Sequence, residues 1–269
     1  MYQIGWFSTG RGEGSRGLLT AVQDGISQGD IQAKISFVFC NREPGEAPGS
    51  DLFHQLVRGY GIPLVSLSSQ RFDPEGRRTS RPEWRLEYDR EVMRRLEGLP
   101  TDICVLAGYM LVVGSEMCQR YKMLNLHPAV PEGPTGTWQE VIWQLIETRA
   151  HTAGAMIHLV TPELDKGPPV TYCSFSIRGK AFDRHWKEIE GLTVPQIKSL
   201  QGEDNSLFRL IRHHGQVREL PLITATIKAF SQGEVRVQNG MVNDARGTPI
   251  EAYDLSSQID EEVRAKGLL

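Results

Sequence analysis

Along the first half of the chain, hydrophobic positions switch repeatedly between two periods. Short apolar runs at Ile4–Ser8, Lys34–Cys40, Ile62–Leu67, Asp102–Ala107 and Met123–Leu126 predict strands. Between them, a 3.6-residue spacing predicts helices. One covers Arg16–Ser27, with Leu18, Leu19, Val22 and Ile26 on one face; others cover Ser50–Tyr60, closed by Gly61, and Glu83–Leu96. Such alternation predicts an α/β fold, a doubly wound, mostly parallel sheet with right-handed crossovers.

Past His127 the pattern changes. A Pro- and Gly-rich loop over residues 128–136 leads into Thr137-Trp138-Gln139-Glu140, a capping box that opens a helix running to about Glu147. Ala155–Thr161 and Val170–Ile177 predict two more strands, an antiparallel edge flanking the loop that holds Asp165. Asp183–His214 is helical in pattern, interrupted at Gly191–Pro195. Val235–Gln238 predicts a strand and Ser257–Lys266 a short charged helix. The expected division is a main domain over residues 1–230 and a C-terminal extension over 231–269 packed on it.

Composition narrows the function classes. Of 269 residues, 39% are hydrophobic, enough for a sizeable core, and the net charge of −3 argues against a dedicated nucleic-acid binder. The chain opens directly on a strand, so no leader is expected. No run approaches the roughly 18 apolar residues of a membrane span. The expectation is a cytoplasmic protein acting on small molecules, with no nucleic-acid or membrane partner and a homodimer left open. The four cysteines are scattered and lie mostly in apolar runs, which predicts reduced core thiols. No histidine has metal-ligand spacing to a carboxylate or cysteine, so no metal is expected.

Candidate chemistry clusters at strand ends. Ser8–Gly17 is a glycine-rich loop between the first strand and first helix, where backbone amides and the helix N-terminus suit an anion. Gly14, Ser15 and Arg16 are the candidate phosphate ligands. Gly12–Gly17 also spells GxGxxG, but the second strand ends on Cys40-Asn41-Arg42 without the acidic residue a dinucleotide site uses. A monophosphate cradle, an NADP site using Arg42 and a purely structural turn all stay open on these residues. Beyond Gly108, Met110, Leu111 and Val113 keep an apolar character that suits either core packing or the wall of a pocket for a flat aromatic ligand. Asn125, His127 and Asp165 supply an amide, an imidazole and a carboxylate, the groups that acyl transfer to an amine requires. His158 reads as a supporting residue behind them.

In chain order, several segments resemble the folate-dependent formyltransferases. They are Gly14-Ser15, Phe39-Cys40-Asn41-Arg42, Tyr88-Asp89-Arg90-Glu91, Val105–Met110, Asn125-Leu126-His127-Pro128 and Leu164–Pro168. Pro221-Leu222-Ile223 and Gly233-Glu234-Val235 continue the resemblance toward the C-terminus. It implies a Rossmann-like formyltransferase fold and 10-formyltetrahydrofolate as co-substrate, bound by Arg85, Met110, Leu111 and Val113. It further implies Asn125, His127 and Asp165 as catalytic residues, with phosphoribosylglycinamide as the leading acceptor. Departures bear on that acceptor: Ala129–Gly136 replaces the family's Ser-Leu-Leu-Pro loop, and Gln216 stands where the family has an acidic contact. Water, which would make the enzyme a hydrolase, and an amino sugar nucleotide are the alternative acceptors. An NADP oxidoreductase and a non-catalytic folate binder are the rivals from other classes.

Overall fold

The computed structural model describes all residues, 1–269. The chain divides into two compact units that interleave along the sequence. The first comprises Met1–Leu126, His158–Pro168 and Thr224–Ile250; the second comprises His127–Ile157, Pro169–Ile223 and Glu251–Leu269.

In the first unit, strands β1 (Tyr2–Ser8), β2 (Ala33–Cys40), β3 (Leu64–Ser66), β4 (Ile103–Leu106) and all but the last residue of β5 (Met123–His127) stand in the order β5-β4-β1-β2-β3, all parallel. Their buried apolar runs are what a sheet covered on both faces demands. Helices α1 (Glu13–Ser27), α2 (Pro48–Gly59) and α4 (Arg81–Arg95) form the main crossovers, and the short α3 (Pro74–Thr79) and α5 (Ser115–Arg120) fill segments that carry no clear period. The strand order reverses direction between β1 and β4. In a doubly wound sheet this is the switch point, where crossovers leave to opposite faces and a crevice opens at the carboxyl ends. Phe7, Phe37, Phe39, Tyr88, Leu106, Tyr109 and Val113 belong to one buried cluster beneath it.

The second unit holds α6 (Trp138–Glu147), most of β6 (Thr152–Leu159), β7 (Pro169–Ser176), α7 (Asp183–Glu188) and α8 (Val194–Leu200). The predicted capping box is present: the Glu140 amide donates to Thr137 Oγ1 at 3.3 Å and the Thr137 amide to Glu140 Oε2 at 2.7 Å. β6 and β7 form the antiparallel edge. Their hairpin is bonded at both ends, from the Leu159 amide to the Pro168 carbonyl at 2.9 Å and from the Ile177 amide to the His151 carbonyl at 3.0 Å. Helix α9 (Ser206–Ser231) runs past His214, where the predicted helical pattern ends, and continues through Pro221. After it come the hairpin β8 (Val235–Gln238) and β9 (Met241–Asp244), then β10 (Tyr253–Asp254), which pairs with β7, and α10 (Ser256–Ala265).

Cys40, Cys104 and Cys173 are free and buried. Burial pushes the thiols of Cys104 and Cys173 up to about 12, so they stay protonated and behave as core residues.

The last helix is tied down by an ion pair. Arg218 is 5% exposed, donates to Asp260 Oδ1 at 2.7 Å and to the His214 carbonyl at 2.7 Å, and lies over the Phe175 ring. Removing one partner of such a pair leaves a charge without compensation. Asp260→Ala is therefore expected to cost about 3 kcal/mol in denaturant unfolding, and Arg218→Met with Asp260→Leu to recover most of it.

Candidate functional site

The end of β1 and the end of β4 are locked together. Ser8 Oγ donates to the Ala107 carbonyl at 2.8 Å, and the Thr9 amide to the Gly108 carbonyl at 3.0 Å. The Met110 amide returns a bond to Thr9 Oγ1 at 2.9 Å. Gly108 has φ +69°, and a Cβ there would stand 2.6 Å from Ser15 Oγ, so the first turn of α1 sits directly against this turn. The candidate anion loop and the candidate ligand wall are thus bonded side by side at the switch point.

On the loop side, Gly12 caps α1 with an extended backbone, and the amides of the first turn have no partner within the helix. Nothing lies within 4 Å of a Cβ at Gly12 or Gly14, which leaves their backbone open to a ligand. Arg16 Nη1 is buried with no hydrogen-bond partner, an arrangement that suits an anionic acceptor. On the wall side the three apolar residues differ. Met110 is 55% exposed, Leu111 is half-buried, and Val113 is buried in the first unit's core. Arg85 lies on α4, half-buried, four residues before the buried Asp89.

Asn125 and Asp165 meet through His158. The imidazole is 2% exposed, with Nδ1 2.8 Å from the Leu159 carbonyl. That bond requires a proton on Nδ1, so in the neutral ring Nε2 accepts from Asn125 Nδ2 at 3.1 Å. Nε2 is also 3.8 Å from Asp165 Oδ1. One amide hydrogen of Asn125 is therefore fixed by the ring, and the other points elsewhere with its direction set. His127 follows two residues along β5, on the same side of the strand by its two-residue period. It belongs to the second unit, is 2% exposed, and its Nε2 lies 2.9 Å from the Pro134 carbonyl of the 128–136 loop.

Asp165 sits at φ +55°, a left-handed conformation unusual for a residue with a side chain. Its loop is held by the Thr161 hydroxyl donating to the Glu163 carbonyl at 3.0 Å and by the Leu159–Pro168 bond. Gly167 is obligatory for that closure: a Cβ there would stand 1.7 Å from the Leu159 carbonyl oxygen. The Asp-Lys-Gly-Pro motif is thus a carboxylate on a strained turn plus the glycine that lets the turn press on β6. No group of His, Cys, Asp and Glu could hold a metal ion, and no helix is long and apolar enough to cross a membrane.

Fold and residues together define an α/β enzyme of one-carbon transfer. The chain belongs to the formyl transferase family, whose profile matches residues 11–180. It is 31% identical over 242 residues to phosphoribosylglycinamide formyltransferase of Haemophilus influenzae, covering 87% of this chain and 92% of that one. To the Escherichia coli enzyme of the same name it is 28% identical over 162 residues, 59% of this chain and 66% of that one. Among solved structures, the Coxiella burnetii phosphoribosylglycinamide formyltransferase superposes with a TM-score of 0.67 at 18% identity, covering 94% and 98% of the two chains. A formyltetrahydrofolate deformylase from Pseudomonas syringae superposes at 0.61 and 18% identity, covering 90% and 65%. These structural likenesses show the fold.

The glycine gives a direct test. Gly167→Ala must push the Asp165 turn off β6, and is expected to cost about 1–3 kcal/mol in unfolding and to lower turnover more than tenfold, measured on protein that remains folded.

Proposed function

We propose that this chain transfers the formyl group of 10-formyltetrahydrofolate to the primary amine of phosphoribosylglycinamide, a step of purine biosynthesis, in the cytoplasm. The observation that carries this is the Asn125–His158–Asp165 constellation: an amide aimed by a ring nitrogen, with a carboxylate beside it. The folate ring would lie against the Tyr109–Val113 turn and its carboxylates would meet Arg85. The acceptor's phosphate would rest on the amides of Gly14 and Ser15 and on Arg16, whose Nη1 needs an acceptor.

Attack of the amine on the formyl carbon builds negative charge on the formyl oxygen. The free hydrogen of Asn125 Nδ2 donates to that oxygen, and because His158 already fixes the amide no reorganisation is needed at that moment. His127, in its protonated form, stabilises the same oxygen and passes a proton to the departing folate nitrogen. Asp165 takes the proton released by the amine, directly or through water. The relatives named phosphoribosylglycinamide formyltransferase support this acceptor.

A second reading has water in place of the amine. Gln216 is exposed and neutral where an acceptor ammonium would call for a carboxylate, and a formyltetrahydrofolate deformylase of Haemophilus influenzae is 26% identical over 143 residues.

One experiment separates them: release of tetrahydrofolate from 10-formyltetrahydrofolate, followed by absorbance with and without phosphoribosylglycinamide. Acceptor-dependent release that falls about a hundredfold or more in Asp165→Asn is expected. Release at equal rates without acceptor would establish the hydrolase instead.

A further inference from the structure

Asp89 is a charged residue that the mechanism leaves unused, in one of the most expensive places to put it. It lies on α4, is 3% exposed, and its Oδ2 accepts from the Gly114 amide at 2.6 Å. Gly114 ends the segment that begins at the Gly108 turn and contains Tyr109–Val113. At its other end that segment is fixed by the Thr9–Met110 bond. Asp89 therefore supplies the second anchor of the wall that the proposed function assigns to the folate. Apart from that amide and the charge of Arg85, its surroundings disfavour the ionised carboxylate. Burial pushes its carboxyl up to about 6, with the Gly114 amide and Arg85 pulling back and Glu116 adding to the rise. An ionised carboxylate that folding disfavours, tied to a single backbone amide at the edge of a site, is the mark of a group kept for function rather than stability.

Resting on the folate reading above, we infer that Asp89 is a positioning residue for the co-substrate: its carboxylate grips the Gly114 amide and so fixes the Tyr109–Val113 wall beside Arg85. The bond is charge-assisted while Asp89 is ionised and roughly halves in strength when it is protonated. The groups facing it are few. Arg85 and Tyr88 come from its own helix, Glu116 and Cys118 from α5, and Tyr109 from the wall itself. Burial raises both tyrosines and the thiol, so they stay neutral, while Glu116 is held low by Arg90 and stays charged. Asp89 is the group among these that changes charge between pH 5 and 8.

Two consequences follow with opposite signs. Because its folded-state pKa lies above the ordinary carboxylate value, its contribution to stability is present at low pH and is lost as pH rises through about 6. Its contribution to folate binding runs the other way, full above that pH and weakened below it. A residue with a merely structural role would not move the two in opposite directions.

The test is steady-state kinetics with 10-formyltetrahydrofolate as the varied substrate, from pH 5 to 8, on wild type, Asp89→Asn and Gly114→Ala. In the wild type, KM for the folate is expected to rise as pH falls through about 6. In Asp89→Asn, KM at pH 7.5 is expected to be fivefold or more above wild type, with kcat within about twofold and no further rise in acid. The pH dependence of its thermal midpoint over the same range should flatten. Gly114→Ala keeps the carboxylate but places a Cβ 2.9 Å from Asp89 Oδ2, so it should raise KM in the same direction while retaining the pH slope of stability. An active wild type whose Asp89→Asn and Gly114→Ala variants both keep KM within twofold overturns the inference and leaves the enzyme's activity intact. A wild type that neither turns over nor binds the folate removes the proposed function, and the inference with it.

Discussion

Everything at the site depends on the lock between the ends of β1 and β4. Ser8 and Thr9 are adjacent, and each spends its hydroxyl on the neighbouring strand's turn, one donating to Ala107 and one accepting from Met110. Side-chain hydroxyls are well suited to this, because they satisfy backbone groups exactly where the sheet ladder runs out. The effect is to join the α1 N-terminus and the Tyr109–Val113 turn at the topological switch point, the place where a doubly wound sheet opens its crevice. A looser joint would let the two sides drift, and an ångström of drift is costly when reacting groups must approach within bonding range.

The proposed catalytic end is built by the same means, with strain added. His158 is placed by a strand, its tautomer is chosen by a backbone carbonyl, and it thereby aims an amide 33 residues away in the chain. Asp165 is held in a left-handed conformation by a turn that closes only because Gly167 has no side chain. Such positions persist when the surroundings over-determine them, and they collect where chemistry is done. Asp89 belongs to the same economy, a buried charge retained next to the wall.

Much of this was legible in the residues, and the exceptions have physical reasons. The five parallel strands and their helices follow from period alone, since each strand is an apolar run and each helix carries one apolar face. The capping box at Thr137 is local chemistry and appears as expected. Asn125, His127 and Asp165 could be singled out because few residue types do acyl-transfer chemistry and these sit at strand ends. The link between Asn125 and Asp165 could not be measured from spacing, because His158 joins residues 33 positions apart only once β5 and β6 are placed. Asp89 stands in one of the family-like segments, but its contact was hidden for the same reason: its partner is a glycine amide 25 residues away, and an amide leaves no trace in a side-chain pattern. Helix α9 extends past the predicted end at His214 and carries Pro221 in its interior, where one ladder bond is lost.

Formyl transfer and acceptor choice are separable on this architecture. The amide, its aiming histidine and the carboxylate all lie on β5, β6 and the loop that follows, segments whose geometry is set by ladder bonds and by close packing. In the proposed function, a substitution there moves a group at the reacting centre. The 128–136 loop is irregular backbone: the Pro134 carbonyl lies 2.9 Å from His127 Nε2, Thr135 accepts from the Gln144 side chain, the Gly133 amide donates to the Val130 carbonyl, and Ala129 is buried in the second unit's core. Loops of this sort change sequence without disturbing the sheet. The departures that the resemblance ties to the acceptor fall in this loop and at the exposed Gln216, while the Asn, His and Asp motifs resemble the family's. Selection on the transfer step and selection on the acceptor would therefore act on different residues, and the first set can stay unchanged while the second is rewritten.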